Sequence, residues 1–381
     1  MNPLEISRRT VLGGALLGGS AALLAACAQV DRPKQADVSP SSTVQAPITV
    51  IDQRGKTLVF DQPVKRVVTI PMPAASLLVA VDQSANHLVG MHNASWAAMQ
   101  GGIMGEMFPN ALKISHDIAR NDFSPNVESI AALNPDVVVQ WSDSPLTAPL
   151  ENAGLKVIGL VNTGTQEDVD AWTTIFATIL GKPDRAAKMK SRSDKQLKQI
   201  HSIAAGRTGR RPSILYFNRF TGGLKVAGNK SYNDFYIKLI GGTNPATGST
   251  GLTGIGMLGV DVEQVLAWDP EIILLGNFDA AVPEDLYSNP VWKNASAVKS
   301  RQVYKVPLGG YRWDPPGQES PLMWHWLNDI AFPEKRSALR ATVSDYYKFL
   351  YEHRPTAAQI DKILWTGVNG QSANYQQFNA A

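Results

Sequence analysis

Cysteine is almost absent from this sequence, since Cys27 is the only one in 381 residues. A chain with one thiol at that position has no internal disulfide, no thiolate metal site, no cysteine-held iron–sulfur cluster and no cysteine nucleophile. Charge of one sign is also scarce, because 36 lysines and arginines stand against 33 aspartates and glutamates. The net charge of +3 gives no argument for a nucleic-acid partner. The six histidines are scattered along the chain, so we predict neither a bare metal-ion site nor a cofactor.

The first 27 residues have the pattern of a signal peptide. Arg8 and Arg9 precede an apolar segment, Val11 to Ala26, that is too short and too rich in glycine and alanine to span a membrane well. The arginine pair resembles a twin-arginine export signal, and the final Leu-Ala-Ala-Cys resembles a lipobox. We therefore predict an exported protein, lipid-anchored through Cys27, in the periplasm or on the outer face of the cytoplasmic membrane.

Residues 28–47 predict a flexible tether between this anchor and the folded protein. The segment is polar and places Pro33, Pro40 and Pro47 among serine, glutamine and aspartate. Folded sequence begins near Ile48. From there, predicted strands alternate with predicted helices, which is typical of an α/β protein.

An internal repeat is the strongest sign of how the chain is organised. Residues 127–141 (VESIAALNPDVVVQW) align without a gap with residues 262–276 (VEQVLAWDPEIILLG). Each copy predicts a short helix with an early acid, Glu128 or Glu263, that stops before a proline and leads into an apolar strand. Ser124, as the N-cap before Pro125, predicts the start of the first helix. Continuous apolar strands fit a parallel sheet covered on both faces, so the repeat predicts two similar lobes.

The stretch between the copies predicts the link between these lobes. Thr165 and Asp168 predict a capping box, and residues 184–205 predict a helix about 30 Å long. The predicted fold class is α/β, with two Rossmann-like lobes joined by a single long interlobe helix and a ligand cleft between the lobes. The predicted domains are a signal peptide (1–27), a tether (28–47), an N-terminal lobe (48–183), the interlobe helix (184–205), a C-terminal lobe (206–352) and a C-terminal tail (353–381).

Behind a lipobox, this arrangement resembles the class III periplasmic binding proteins over about residues 48–352. Besides the two repeats, the resemblance is carried by Pro63–Val68, Phe235–Asn244, Asn289–Trp292, Ala297–Val298, Val303–Pro307 and Trp326–Pro333. That family serves ABC importers of vitamin B12, haem and iron–siderophore complexes. One glutamate on each of its lobes pairs with arginines of the membrane permease, which implies docking through Glu128 and Glu263. The alternative is that each acid only complements the dipole of its own helix.

The cleft residues are expected on loops that follow strands, because ligands of open α/β sheets bind beyond the carboxyl ends of the strands. Those loops carry aromatic rings suited to a large flat chelate and arginines suited to its acidic groups. The candidate ligand-binding residues are Trp96, Trp141, Arg219, Tyr311, Arg312 and Trp313. For each of them the alternative is packing within its own loop. His92 and His116 lie near these loops, although a lone histidine is more typical of the surface or of a satisfied core.

We predict a monomeric solute-binding protein that captures a metal chelate, an iron–siderophore complex, and delivers it to an ABC permease with its ATPase. Haem, cobalamin or a nickel chelate is the alternative ligand. An exported cofactor-dependent enzyme is the alternative from another class, but the sequence has no Gly-x-Ser-x-Gly elbow, metalloprotease helix or phosphate loop. A receptor-like or adhesive lipoprotein on the same fold is a third interpretation.

Overall fold

The computed structural model describes residues 46–248, 252–253, 256–333 and 337–380. The predicted signal peptide, Cys27 and residues 28–45 of the predicted tether lie outside these ranges. Within them, no helix is both long enough and apolar enough to cross a membrane.

The N-terminal lobe is built on a four-stranded parallel sheet. An antiparallel hairpin of β1 (Ile48–Ile51) and β2 (Thr57–Phe60) precedes this sheet. The sheet has the order β4-β3-β5-β6 and comprises β3 (Val67–Thr69), β4 (Leu88–Met91), β5 (Val137–Trp141) and β6 (Val157–Leu160). Its helices are α1 (Ala74–Asp82), α2 (Asn93–Gly101), α3 (Met104–Met107), a 3₁₀ turn (Pro109–Lys113), α4 (Val127–Ala132), α5 (Ser144–Asn152) and α6 (Gln166–Ile179). All of β3 and β6 is buried, as expected for strands covered on both faces.

One long helix, α7 (Pro183–Ala205), leaves this lobe almost as soon as α6 ends. Pro183 occupies its first turn, where a proline costs no intrahelical hydrogen bond. Its 23 residues span about 34 Å at 1.5 Å per residue. The capping box predicted at Thr165 and Asp168 is confirmed at the start of α6.

The C-terminal lobe has a larger, mixed sheet. Its strands are β7 (Ile214–Arg219), β8 (Leu224–Ala227), β9 (Leu252–Thr253), β10 (Met257–Val260), β11 (Ile272–Leu275) and β12 (Val303–Lys305), in the order β12-β11-β7-β8-β10-β9. The first three of that order run parallel, whereas β8, β10 and β9 pair antiparallel. Its helices are α8 (Tyr232–Leu239), a 3₁₀ turn (Pro245–Gly248), α9 (Val262–Trp268), α10 (Pro283–Tyr287), α11 (Ser296–Lys299), α12 (Ser320–Ala331), α13 (Leu339–Tyr351), α14 (Ala357–Ile363) and a last 3₁₀ turn (Tyr375–Phe378). The two-lobed α/β fold is therefore confirmed.

Both copies of the repeat fold as a short helix and a buried strand, α4 with β5 and α9 with β11. Asn126 Oδ1 caps α4 by accepting from Ser129 N at 3.2 Å, and Asp261 Oδ1 caps α9 by accepting from Gln264 N at 2.7 Å. The start predicted at Ser124 is wrong by two residues, because Asn126 has the extended backbone and the side-chain oxygen that the cap requires.

The repeat extends to a second pair of matched acids. The Asp136 carboxylate accepts from Lys65 N at 2.6 Å, just before β3. The Glu271 carboxylate accepts from Ser213 N at 3.1 Å, just before β7. In each lobe, the same repeat position therefore ties the helix–strand unit to the neighbouring strand of the sheet.

Residues 353–380, which fall in the predicted C-terminal tail, contact both lobes. Lys362 Nζ donates to Gly102 O at 2.9 Å and pairs with Glu106 at 2.7 Å, both in the N-terminal lobe. The Asn369 side chain makes two hydrogen bonds with the backbone of Lys305 in β12. Its Oδ1 accepts from Lys305 N at 2.7 Å, and its Nδ2 donates to Lys305 O at 2.9 Å. This segment is therefore a second link between the lobes, besides α7.

Candidate ligand cleft

A cavity of about 880 Å³ lies between the lobes, at the carboxyl ends of their parallel strands. Trp141 and Leu160 line it where β5 and β6 end, and Arg219 lines it where β7 ends. Pockets of about 300–1,000 Å³ are typical of drug-sized organic ligands. The cleft therefore has the position that the fold predicts and room for a ligand of several fused or chelated groups.

The N-terminal wall of this cavity is aromatic. Phe123 and Trp141 both line it, and their rings meet edge to face with centroids 6.1 Å apart. The fully buried Trp172 lies behind Trp141, with a centroid distance of 5.9 Å, and its Nε1 donates to Val161 O at 3.0 Å. These contacts hold the half-exposed Trp141 ring in place for a flat ligand.

Charges of opposite sign line the two walls. Arg219 and Lys225 are exposed cations on the C-terminal wall, whereas Asp122 and Asp143 are exposed acids on the N-terminal wall. The Arg219 guanidinium also donates to Phe278 O, another group of the C-terminal wall. A bound ligand would therefore meet an anion-binding side and an acidic side.

Asp279 fixes the loop that begins at Arg219. Its carboxylate accepts from Phe220 N and Thr221 N at 2.9 Å and from Ala281 N at 2.8 Å. Partial burial raises the pKa of Asp279, but these N–H donors outweigh burial and lower the pKa to about 2. Asp279 is therefore ionised at any physiological pH.

Lys305 supports the same wall from the core, where it is only 5% exposed. Its Nζ donates to Gly276 O at 2.9 Å, Asp279 O at 2.6 Å and Ala281 O at 3.0 Å. Burial lowers the pKa of Lys305, although Asp314 and Asp279 oppose that effect. The ammonium group thus satisfies three carbonyls of one cleft loop.

Asp314 is a fully buried carboxylate at the cavity surface. It accepts from Tyr216 OH at 2.6 Å and from Asn277 N at 3.1 Å, and Asn233 Nδ2 donates to its backbone carbonyl at 3.0 Å. Burial, together with the charge of Asp314, raises the pKa of Tyr216, which stays a neutral donor. Asp314 therefore joins β7, α8 and two loops into one polar floor.

Tyr311 lines this cavity and carries an unpartnered hydroxyl. The group is buried and has no hydrogen-bond partner of good geometry in the part of the chain that the structure describes. Burial raises the pKa of Tyr311 to about 12, although the Arg312 guanidinium opposes that effect. Since buried hydroxyls are rarely left unpaired, Tyr311 is a neutral donor with unused hydrogen-bonding capacity in the wall of the cavity.

The structure brings together three of the six predicted ligand-binding residues, because Trp141, Arg219 and Tyr311 line the cavity. Arg312 does not line it and instead connects the lobes. Its NH1 donates to Ala94 O in α2 at 2.9 Å, and its Nε donates to Asn277 O at 3.1 Å.

Trp313 and Trp96 also lie off the cavity, in structural contacts. Trp313 is fully buried, and its Nε1 donates to Glu319 Oε2 at 2.6 Å. Trp96 Nε1 donates to Leu112 O at 3.0 Å, and its ring stacks on His116 with centroids 4.3 Å apart. Strand order located the loops, but it could not tell which way each ring points.

Glu319 is the carboxylate that supports the loop of Tyr311. It is buried and accepts from Trp313 Nε1, from Tyr347 OH at 2.7 Å, from Tyr351 OH at 2.5 Å and from Gly310 N at 3.1 Å. Burial raises the pKa of Glu319, while these donors oppose the rise. The network makes the loop a fixed part of the cleft.

Sequence reasoning missed one whole segment of the N-terminal wall, the loop that supplies Asn121, Asp122 and Phe123. This loop does not follow any predicted strand, so the strand-end rule did not reach it. Its only sequence signal is the Asn-Asp pair, which is typical of a turn.

The two predicted docking acids occupy matched places. Glu128 and Glu263 are both exposed in the first turn of their helices, α4 and α9. Within the described residues, neither carboxylate has a hydrogen bond or ion pair, so both are available to a partner. Across the same residues, no three His, Cys, Asp or Glu side chains converge to hold a metal ion.

Known proteins share this architecture. The periplasmic binding protein family model matches residues 112–308, just over half of the chain. A periplasmic solute binding protein from Veillonella parvula is 30% identical and superposes with a TM-score of 0.76, over 85% of this chain and 98% of that protein. The chain belongs to the periplasmic binding protein family.

Other members of the family that resemble this chain carry different ligands. The Fe(3+)-citrate-binding protein YfmC of Bacillus subtilis is 24% identical over 259 residues, 66% of this chain and 76% of that protein. Molybdate-bound MolA of Haemophilus influenzae, at 20% identity, shares the fold with a TM-score of 0.70 over 81% of this chain and 99% of its own. As a member of this family, the protein is a solute-binding protein of ABC transporters that acts in the periplasm, and it is not an enzyme.

Proposed function

We propose that this binding protein captures a ferric chelate with anionic groups, of the iron–siderophore type, and delivers it to an ABC permease. The observation that carries the proposal is the composition of the cleft. Aromatic rings form one wall and two exposed cations lie on the other.

The size of the cavity favours a chelate over a small oxyanion. At about 880 Å³ the cavity is as large as those that enclose drug-sized ligands, and a bare tetrahedral anion would leave most of it to water. The described residues also lack a converging set of metal-ligating side chains, which supports a metal that arrives already chelated.

The charges favour a ligand with acidic groups on one side. Arg219 and Lys225 are exposed and suited to carboxylates or to the anionic oxygens of a chelate. The edge-to-face pair of Phe123 and Trp141 offers apolar surface opposite them. The Fe(3+)-citrate-binding relative is consistent with this assignment, since its printed ligand is an anionic ferric chelate.

Delivery follows from the matched exposed acids. We propose that Glu128 and Glu263 pair with basic residues of the permease, and that Cys27 anchors the exported protein close to it. Exposed acids contribute little to the fold but give register and steering to a complex.

The ligand assignment is tested by calorimetry and tryptophan fluorescence on the protein that begins after Cys27. The panel is ferric citrate, a ferric hydroxamate, a ferric catecholate, haemin, cobalamin, nickel and molybdate. We expect saturable binding of a ferric chelate, weakened roughly tenfold or more by R219Q/K225Q, because a charge-assisted contact is worth about 1.5–3 kcal/mol. The matched double variant K188Q/K195Q removes two exposed lysines of α7 and should bind as the unaltered protein does. Binding of haemin, cobalamin, nickel or molybdate alone would overturn the assignment to an iron–siderophore type of chelate.

Docking is tested separately, by reconstituting the protein with its permease and ATPase. The double reversal E128K/E263K should abolish stimulated ATP hydrolysis and transport while ligand affinity stays unchanged. Normal stimulation by this variant would contradict docking through the two acids.

A further inference from the structure

A short hairpin lies between the ligand cleft and the docking helix of the N-terminal lobe. This cleft hairpin, residues 118–126, is closed by Arg120 N donating to Ser124 O at 2.9 Å and by Asn126 N donating to Ile118 O at 2.8 Å. Asn126 is also the N-cap of α4, and Glu128 follows two residues later. The chain therefore passes from the hairpin straight into the docking helix.

The cleft hairpin borders two cavities. On one side, Asn121, Asp122 and Phe123 line the ligand cleft. On the other side, an open surface groove of about 1,050 Å³ is lined by Arg120, Asn121, Asn126 and Glu128, among others. Asn121 borders both, so the ligand cleft and the groove beside Glu128 are separated by the thickness of one hairpin.

The tip of the cleft hairpin has an unusual backbone. Phe123 has a φ of +68°, in the left-handed region that bulky side chains rarely adopt. Gln140 Nε2 holds this conformation by donating to Phe123 O at 2.9 Å. The Phe123 ring packs against the rings of Trp141 and His92, with centroids 6.1 Å and 5.3 Å away. Phe123 therefore connects the cleft surface to the backbone of the hairpin, and a ligand packed on its ring would contact the hairpin directly.

His92 is the second support of the hairpin. Its Nδ1 accepts from Ala94 N at 3.0 Å, so the neutral ring carries its proton on Nε2, which donates to Arg120 O at 3.0 Å. Together, His92 and Gln140 contribute one hydrogen bond each from the sheet side to the hairpin. Both supports are uncharged.

We propose that the cleft hairpin couples ligand binding to permease docking: a permease segment with a basic residue occupies the groove beside Glu128, and ligand packed on Phe123 sets the shape of that groove. The groove is lined by two exposed acids, Asp117 and Glu128, and by one exposed cation, Arg120. The acids outnumber the cation, and Glu128 itself is exposed, which suits a basic residue of the partner. The proposal rests on the cleft being the ligand site, as proposed above. It adds a route by which the permease distinguishes loaded from empty protein.

The first test needs no ligand. Hydrogen exchange is measured by mass spectrometry on the unliganded protein and on its F123A, Q140L and K225Q variants. We expect F123A and Q140L to speed exchange of residues 124–132 by roughly threefold or more, because they release the hairpin that caps α4. K225Q changes an exposed cleft residue on the opposite wall and should leave those amides unchanged. Unchanged exchange of residues 124–132 in both F123A and Q140L would overturn the coupling.

The second test follows the groove during ligand binding. The protein that begins after Cys27 has no cysteine, so D117C places a single environment-sensitive fluorophore in the groove, and K195C on α7 is the matched control. Ferric citrate, a ferric hydroxamate and haemin are titrated, with calorimetry reporting binding independently. We expect the D117C label, but not the K195C label, to respond with the same half-saturation as binding, and F123A to remove that response at saturating ligand.

The outcomes separate this proposal from the assignment of the ligand. Calorimetric binding without a D117C response would overturn the coupling and leave the ligand site intact. A panel without any binding would count against the proposed ligand class, and the exchange measurement on the unliganded protein would still decide the coupling.

Discussion

The two lobes carry the same helix–strand unit, but they hold their cleft walls by different means. In the N-terminal lobe, the cleft hairpin rests on neutral side chains, Gln140 and His92, through one hydrogen bond each. In the C-terminal lobe, charged anchors do the corresponding work. The Lys305 ammonium group binds three loop carbonyls, and the Asp279 carboxylate binds three backbone N–H groups.

The segment that precedes the docking helix is also held more firmly in the C-terminal lobe than in the N-terminal lobe. In the C-terminal lobe, β10 leads into α9 and is paired with β8 and with β9, so its backbone is held along its length. In the N-terminal lobe, the cleft hairpin leads into α4 and contains a residue with positive φ. The repeat thus places two equivalent docking acids, while the loops beside them differ between the lobes. The C-terminal lobe has a cleft wall held by charged groups, the firm wall, and the N-terminal lobe has one held by fewer and neutral hydrogen bonds, the yielding wall.

The largest expected effect comes from removing the buried cation of the firm wall. K305M leaves three carbonyls of the loop at residues 276–281 without a partner and should cost about 3 kcal/mol of unfolding free energy. Urea denaturation measures this cost, with the exposed K188M as its control, expected within about 0.5 kcal/mol of the unaltered protein. A cost for K305M no larger than that of K188M would remove the contrast between the walls.

The corresponding change in the yielding wall should cost less. Q140L removes the donor to Phe123 O and the acceptor for Trp141 N. We expect this change to lower the free energy of unfolding by about 1.5 kcal/mol. The same denaturation experiment provides the comparison. If Q140L destabilises the protein as much as K305M does, the N-terminal wall is not the weaker one.

Acidification should release the two walls in different pH ranges. Burial is the main cause that lowers the pKa of His92 from 6.5, with a contribution from the facing Arg312 guanidinium, so the stability that neutral His92 provides is lost as pH falls below 6.5. The pKa of Asp279 is lowered from 3.8 to about 2, so its contribution is present above 3.8 and is lost only as pH falls towards 2. Hydrogen exchange, corrected for its intrinsic pH dependence, should therefore quicken first at residues 118–126 and later at residues 219–222. Simultaneous release, or the reverse order, would contradict the assignment of the supports.

The smallest effects are expected at the two docking acids themselves. E128Q and E263Q, made singly, should each change the unfolding free energy by less than about 0.5 kcal/mol, because both carboxylates are exposed and have no ion pair or hydrogen bond with the residues that the structure describes. The two variants are matched by the repeat, so equal and small stability effects sharpen the view that these acids serve a partner. A large loss for either one would indicate a structural role in its lobe.

Much of the scaffold could be predicted from residues alone. The repeat predicted α4 with β5 and α9 with β11, because a proline-terminated helix followed by a fully apolar strand has few other ways to bury its surface. Strand order then located the cleft loops of Trp141, Arg219 and Tyr311. The same rule could not separate Trp141 from Trp96 and Trp313, which also follow predicted strands. In the structure, Trp96 lies in α2, and both Trp96 and Trp313 donate their Nε1 hydrogen bonds to neighbouring structure.

The sequence by itself determined the two lobes, the helix between them, the exposed acid at the head of each repeated helix and the loops that could meet in a cleft. Each of these follows from local periodicity, caps and prolines, which act over a few residues. Only the tertiary structure decided which rings line the cavity, that Phe123 adopts a positive φ, and that Lys305 and Asp279 hold one wall. Those features depend on contacts such as Phe123 with Gln140 and Lys305 with Gly276, whose partners lie far apart in the chain and meet only when the sheets assemble.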